Sequence, residues 1–151
     1  RLRGHNTDAF GFETSLLPLL PKLPVSALIL GTGGASKAVV YVLEKLGIDC
    51  LYVSRNQKNG AIGYSAIDEA IIKKHLLIVN TTPLGMYPDI HNYPLLPYNL
   101  LTRKHLLYDL VYNPETSVFL NHGKEKGVAI KNGLEMLYLQ AEKSWKIWNS
   151  R

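Results

Sequence analysis

The chain has 151 residues, of which 46% are apolar, so it can form one ordinary domain with a sizeable core. Its net charge of +5 is spread along the chain, which suits anionic ligands but lacks the basic, aromatic-interleaved stripe of a nucleic-acid-binding protein. The single cysteine excludes a disulfide scaffold and argues against a zinc module. No apolar run reaches the roughly 18 residues that a membrane span needs. We therefore expect a cytoplasmic protein with no metal, membrane or nucleic-acid partner.

Predicted strands and helices alternate along most of the chain. Because a helix that connects two parallel strands must return the chain to the same side of the sheet, this alternation predicts an α/β fold with a doubly wound, Rossmann-like parallel sheet of about six strands. The chain is predicted to begin with a short helix after a polar start at 6–8, followed by a proline connector to residue 24. The predicted strands are at 25–30, 50–53, 61–64, 76–79, 105–111 and 128–130. The predicted helices are at 35–46, from a capping box at 65–68 to residue 75, at 115–126 and from 133 onward.

A glycine-rich turn, Gly31-Thr32-Gly33-Gly34-Ala35, separates the first predicted strand from the first predicted βα helix. In dinucleotide-binding folds the first glycine permits the tight turn and the second lets a pyrophosphate approach the backbone at the helix N-terminus. The alternative is an ordinary turn, and the third glycine of the usual motif is replaced by Ser36. A strand before the turn and an amphipathic helix after it favour the dinucleotide interpretation.

The end of the second predicted strand indicates which dinucleotide is bound. An NAD site usually has an acidic residue there, whereas this chain has Ser54-Arg55-Asn56 followed by Lys58. A guanidinium can pair with a 2′-phosphate and stack on adenine, so NADP(H) is the predicted cofactor. The alternative is that Arg55 and Lys58 are solvated loop charges. We predict a cofactor site formed by Gly31, Thr32, Gly33, Gly34, Ala35, Ser54, Arg55, Asn56 and Lys58.

Six motifs, in order, resemble those of the shikimate dehydrogenases and cover nearly the whole chain. Two positions depart from the family pattern, because Ser54 and Asn56 flank the arginine where the family has Asn and Thr. The motifs are Gly4–Gly11, Gly31–Ala35, Ser54–Asn56, Asn80–Met86, Asp109–Pro114 and Asn132–Ala141.

The resemblance also implies that a substrate lobe is missing. Family members begin with a lobe that carries serines for the substrate carboxylate and a lysine for acid/base chemistry, and neither precedes Arg1. The chain, which does not start with Met, is therefore expected to be a fragment that is inactive alone. The expected parts are a crossover helix and connector at 1–24, an NADP-binding domain at 25–131 and a C-terminal helix at 132–151 that packs toward the missing lobe.

Several residue roles follow from the resemblance alone. Asp8 would be the catalytic carboxylate that binds the reacting hydroxyl, with Tyr112 and Gln140 contacting polar groups of the substrate. Leu110 and Gly133 would line the nicotinamide. The alternative for Asp8 is a helix N-cap, and for Leu110 a core position that is compatible with a cofactor contact.

The function implied is an NADP-dependent oxidoreductase that interconverts 3-dehydroshikimate and shikimate, with this chain supplying the cofactor lobe and one wall of the active site. Two alternatives remain: a quinate/shikimate dehydrogenase, and a non-catalytic NADP-binding module. A homodimer is open as well, since nothing in the sequence determines the oligomeric state.

Overall fold

The computed structural model describes residues 5–20 and 26–150, and within them the centre of the fold is a sheet of five parallel strands. The strands are β1 (Ala27–Leu30), β2 (Cys50–Val53), β3 (Leu77–Asn80), β4 (Leu106–Asp109) and β5 (Ala129–Lys131). They lie in the order β2-β1-β3-β4-β5, so the chain builds outward from β1 in one direction and then in the other. This arrangement confirms the predicted α/β fold with a doubly wound parallel sheet.

Two hydrophobic clusters, one on each face of the sheet, form the core. The helices around them are α1 (Thr7–Leu16), α2 (Gly34–Lys45), α3 (Glu69–Lys74), α4 (Val118–Glu125) and α5 (Leu134–Asn149). In β1, Ala27 and Ile29 join the cluster that includes residues of α1, α2 and α5, while Leu28 and Leu30 join the cluster that includes residues of α3 and α4. Since helices cover both faces, every residue of β1 is buried, which explains its uninterrupted apolar sequence.

Helix α1 joins the domain through close contacts with α5 and β4. A Cβ added to Gly11 would lie 2.6 Å from the carbonyl oxygen of Met136, so the missing side chain is what lets α1 and α5 approach. On the sheet side, Phe12 packs edge-on against Tyr108, and the Ser15 hydroxyl lies 2.6 Å from the Tyr108 hydroxyl. The N-terminal and C-terminal helices are therefore neighbours on one face of the sheet.

The predicted strand at 61–64 requires correction, because only Ile62 pairs there, in a single bridge to Val53. Two hydrogen bonds hold this bridge, from the backbone N–H of Ile62 to Tyr52 and from that of Ser54 to Ile62. Directly afterwards the chain forms a short 3-10 helix, Tyr64–Ala66, and leaves the sheet.

Three element boundaries differ from their predicted positions, and in two of them a side chain caps the start of a helix. The helix expected from the capping box at 65–68 begins at Glu69, because the Asp68 carboxylate accepts from the N–H of Ile71 at 2.9 Å. The helix expected from residue 115 begins at Val118, with Ser117 as its N-cap. Strand β4 ends at Asp109, two residues before the predicted end.

Part of the predicted proline connector cannot be compared with the fold. Pro18 lies in a short 3-10 helix, Leu17–Leu19, whereas Pro21 and Pro24 fall outside the described residues. The division at 1–24, 25–131 and 132–151 therefore stays a prediction. Among the helices of the described ranges, none combines the length and the apolar character needed to cross a membrane.

Candidate functional site

A cleft of about 540 Å³ lies at the carboxyl ends of β1, β2 and β3. The register of the sheet places these ends side by side, since Leu30 pairs with Val53 on one side and with Asn80 on the other. This is the point where the order of strands reverses, which is where open α/β sheets bind ligands. The lining residues are Gly31, Thr32, Gly33, Val53, Ser54, Arg55, Asn56, Tyr64, Thr81, Thr82, Pro83, Leu84, Tyr93 and Leu95.

The turn after β1 depends on Gly31. Its φ of +103° lies in the region that disfavours residues with a side chain, and an added Cβ would lie 2.7 Å from Oγ1 of Thr81. That Thr81 hydroxyl donates to the carbonyl of Leu30 at 2.6 Å, so it is held at the end of the strand. The glycine loop and the loop after β3 are therefore in direct contact at the floor of the cleft.

The N-terminus of α2 opens toward the cleft. Gly33 is the N-cap, no side chain caps the helix there, and a Cβ added to Gly33 would meet no atom within 4 Å. Ser36, which replaces the third glycine of the motif, is fully buried and donates to the carbonyl of Gly33 at 2.6 Å. The substitution therefore fits the turn, and the free N–H groups of the first helical turn form a site suited to a phosphate.

Cationic and aromatic side chains form the end of the cleft beside β2. Arg55 is exposed there, and no acidic residue in the described ranges forms an ion pair with it. Burial raises the pKa of Tyr64, and the positive charge of Arg55 opposes that rise, as expected for neighbouring groups. Lys58 is exposed and does not line the cleft. This end can therefore offer a guanidinium to an anion.

A buried polar network supports the opposite end of the cleft. The register of the sheet pairs Asn80 with Asp109, and the Asn80 amide donates to the Asp109 carboxylate at 3.1 Å. Asp109 is fully buried, and burial raises its pKa to about 6, although hydrogen bonds from Ser117, Val111 and Asn80 oppose that rise. This carboxylate anchors the ends of two adjacent strands.

Leu110 and Gly133, the predicted nicotinamide contacts, lie against each other next to this network. Gly133 is buried, and an added Cβ would clash with the carbonyl oxygen of Leu110, so only glycine fits. Neither residue lines the cleft, and the same holds for Gly34 and Ala35. The predicted roles of these four residues stay predictions.

The structure brings two of the three predicted substrate residues together. The Gln140 side-chain amide of α5 donates to the Asp8 carboxylate in the first turn of α1. Asn6 is the N-cap of this helix and accepts from the N–H of Ala9 at 3.0 Å, so the alternative interpretation of Asp8 as the N-cap is wrong. Tyr112 is exposed after β4 and is not part of this pair. All three lie outside the cleft lining.

Sequence reasoning assigned no binding role to several residues that line the cleft. The loop after β3 is the clearest case, because it lies within the motif Asn80–Met86, for which the sequence predicts no ligand contact. Its position directly after a buried strand could have indicated a role. No comparable local signal marks Tyr64, Tyr93 or Leu95. The missed residues are Val53, Tyr64, Thr81, Thr82, Pro83, Leu84, Tyr93 and Leu95.

Nearly the whole chain is similar to shikimate dehydrogenases. It is 34% identical to the shikimate dehydrogenase (NADP(+)) of Desulforamulus reducens, in an alignment that covers 98% of this chain and 58% of that protein. The crystal structure of shikimate 5-dehydrogenase from Thermus thermophilus, in complex with NADP(H) and shikimate, matches with a TM-score of 0.83 at 31% identity, over 100% of this chain and 59% of that one. No protein-family model matches the chain.

A quinate dehydrogenase from Corynebacterium glutamicum, in complex with NAD, has the same fold with a TM-score of 0.81. The two proteins are 24% identical over 98% of this chain and 58% of that one, a likeness that concerns the fold alone. The chain thus spans a little over half the length of the relatives that it matches. In sequence and in fold the chain is similar to that part of the shikimate dehydrogenases.

Proposed function

We propose that this chain is the NADP(H)-binding part of a shikimate dehydrogenase, an oxidoreductase that interconverts 3-dehydroshikimate and shikimate. The observation that carries the proposal is the cleft, which combines an uncapped helix N-terminus at Gly33 with an unpaired guanidinium at Arg55 among the described residues. These are the two anion sites that an NADP molecule requires, one for its pyrophosphate and one for its 2′-phosphate. The names of the similar proteins support the same assignment.

The residues of the cleft fit the cofactor. Gly33 leaves open space where the pyrophosphate would approach, while Arg55 would pair with the 2′-phosphate and Ser54 and Asn56 would flank it. Lys58, exposed beside this end, would add a positive charge. When bound, the cofactor supplies the hydride. The task of the chain is to hold the dinucleotide across the sheet so that its nicotinamide end lies toward Leu110 and Gly133.

We propose that the substrate wall is formed by Asp8, Gln140 and Tyr112. The Asp8 carboxylate can accept a hydrogen bond from the hydroxyl at the reacting carbon and so orient it, while the hydrogen bond from Gln140 fixes the carboxylate. The chain would supply this wall and the cofactor lobe, and a separate lobe would supply the acid/base lysine. A cytoplasmic location and a homodimer remain predictions.

Two measurements on the 151-residue chain test this proposal. Calorimetric titration should detect binding of NADPH and much weaker binding of NADH, whereas an absorbance assay with shikimate and NADP should detect negligible turnover. Turnover near the roughly 10 per second typical of enzymes would contradict the one-wall arrangement. Failure to bind either dinucleotide would contradict the cofactor assignment.

The alternatives differ in what a longer form of the enzyme does. A form that includes a substrate lobe should oxidise shikimate faster than quinate if the proposal holds. The reverse preference would favour the quinate/shikimate dehydrogenase. Binding of NADPH without oxidation of either substrate would favour a non-catalytic module.

A further inference from the structure

The tripeptide Lys-Asn-Gly occurs twice in the chain, at 58–60 and at 131–133. Asparagine is a chemically labile residue, and a glycine after it favours deamidation, because glycine has no side chain to keep its backbone nitrogen away from the asparagine amide. Since the two copies have the same local sequence, any difference in their reactivity must come from their surroundings.

The copy at 131–133 is restrained at both reacting groups. The side-chain amide of Asn132 donates to the carbonyl of Glu115 at 2.9 Å, and its oxygen accepts from the N–H of Leu134 at 3.1 Å. Gly133 is buried, and its N–H donates to the carbonyl of Val111 at 3.2 Å. Deamidation here would have to break these hydrogen bonds first.

The copy at 58–60 lacks these restraints. Asn59 and Gly60 are exposed, and within the described part of the chain neither the Asn59 side chain nor the Gly60 N–H forms a hydrogen bond. A Cβ added to Gly60 would meet no atom within 4 Å, whereas one added to Gly133 would clash with the carbonyl oxygen of Leu110. The Asn59 amide and the Gly60 nitrogen can therefore approach each other without disturbing the fold.

The exposed copy belongs to the loop that carries the proposed contact to the 2′-phosphate. The N–H of Ala61 donates to the carbonyl of Lys58 at 3.1 Å, which closes a turn with position 59 at its tip. Arg55 lies in the same loop, between β2 and the single bridge at Ile62. A negative charge at position 59 would adjoin Lys58 and repel an anion at this end of the cleft.

We propose that Asn59 is a site of spontaneous deamidation, that Asn132 is protected by its contacts, and that the acidic product at position 59 weakens the binding of NADPH. The backbone nitrogen of Gly60 loses its proton to water and attacks Cγ of Asn59, the bond from Cγ to the side-chain nitrogen breaks, and ammonia leaves. Water then opens the succinimide ring at either carbonyl, which gives aspartate or isoaspartate. The reaction consumes one water, releases one ammonia and changes no oxidation state. The effect on NADPH rests on the proposed cofactor site, whereas the modification does not.

Peptide mapping by mass spectrometry of the 151-residue chain tests where the modification occurs. One sample is incubated folded in mildly alkaline buffer, and a parallel sample is incubated in urea. In the folded chain, aspartate and isoaspartate should accumulate at least about tenfold faster at position 59 than at position 132, because only the second site needs a local opening to react. In urea the two sites should react at similar rates. Equal rates in the folded chain, or an intact Asn59 there while the urea sample is modified, would overturn the assignment.

Two variants measure the consequence for the cofactor. Asn59→Asp adds the charge that deamidation creates, and Asn59→Gln is the matched control, because it keeps a neutral amide. In Asn59→Asp the affinity for NADPH should fall by about two- to fivefold, the range of one exposed charge interaction, with a smaller loss for NADH. The loss should shrink at high salt, and Asn59→Gln should bind both cofactors as the wild type does.

Fluorescence titration with NADPH and NADH gives these affinities. Losses of equal size for the two cofactors in Asn59→Asp, or no loss of either, would overturn the effect assigned to the modification. If the wild-type chain binds neither cofactor, the proposed cofactor site fails instead, and peptide mapping still decides the modification.

Discussion

Gln140 donates a hydrogen bond to Asp8 across 132 positions of the sequence. The pair forms because α1 and α5 pack side by side, and Gly11 permits their close approach. A residue near the start of the chain and a residue near its end thus form one polar group on the helix pair. Asp8 and Gly11 belong to the first of the six motifs and Gln140 belongs to the last, so motifs from opposite ends of the sequence meet here.

Asp8→Asn should separate a catalytic carboxylate from a structural one. In a form of the enzyme that includes the substrate lobe, turnover should fall by roughly 10²- to 10⁴-fold, the range associated with general acid/base groups. Melting temperature and NADPH affinity should hardly change, because Asn6 caps the helix and the Asn side chain keeps an oxygen for Gln140. Steady-state kinetics and thermal unfolding measure these effects, and full activity of the variant would falsify the catalytic role.

Gly11→Ala should destabilise the chain. The new Cβ would lie 2.6 Å from the Met136 carbonyl oxygen, so α1 and α5 must separate, at a cost of about 1–3 kcal/mol. Urea unfolding of the 151-residue chain measures the change. Gly34→Ala is the matched control, because its Cβ meets no atom within 4 Å and the free energy of unfolding should not fall. Equal stability of the Gly11→Ala variant and the wild type would show that the helices can separate without cost.

Arg55→Ala should change the choice of cofactor. NADPH binding should weaken much more than NADH binding, since only NADPH has the 2′-phosphate that a guanidinium recognises. Lys58→Ala is the control, because Lys58 is exposed outside the cleft lining and should have the smaller effect. Fluorescence titration with both cofactors measures the ratio of affinities. A loss of the same size for NADPH and NADH would show that Arg55 acts on the structure and not on the phosphate.

Asp109→Asn should alter the pH dependence of stability. Burial raises the pKa of Asp109 in the folded protein to about 6, above the ordinary value of 3.8, so the folded state binds this proton more tightly than the unfolded state. The resulting stabilisation is complete below about pH 4 and is lost as the pH rises through about 6. The difference between the two pKa values corresponds to roughly 3 kcal/mol.

Denaturant unfolding of both proteins from pH 4 to pH 8 tests this dependence. Relative to Asp109→Asn, the wild type should lose stability across that range, because the variant has no carboxylate at this position to ionise. A constant difference between the two proteins would mean that the buried carboxylate does not titrate there.

Local sequence patterns are sufficient to predict the fold class and the glycine turn. The run at Ala27–Leu30 is apolar throughout because the strand is buried on both faces, and the turn that follows needs a φ that suits Gly31, so both features are encoded locally. The predicted strand at 61–64 is only one bridge, because its pairing is not encoded locally. Its pairing depends on the edge of β2, which local pattern does not reveal.

Which side chains contact one another, by contrast, depends on how the strands and loops are arranged in three dimensions. The pairing of Asn80 with Asp109 follows from the register of β3 and β4, and the position of Tyr64 beside Arg55 follows from the path of the chain after β2. The spacing of these residues along the sequence predicts neither contact. Strand and helix periodicity reports what a segment buries, whereas a binding cleft is formed where separate segments end together at one edge of the sheet.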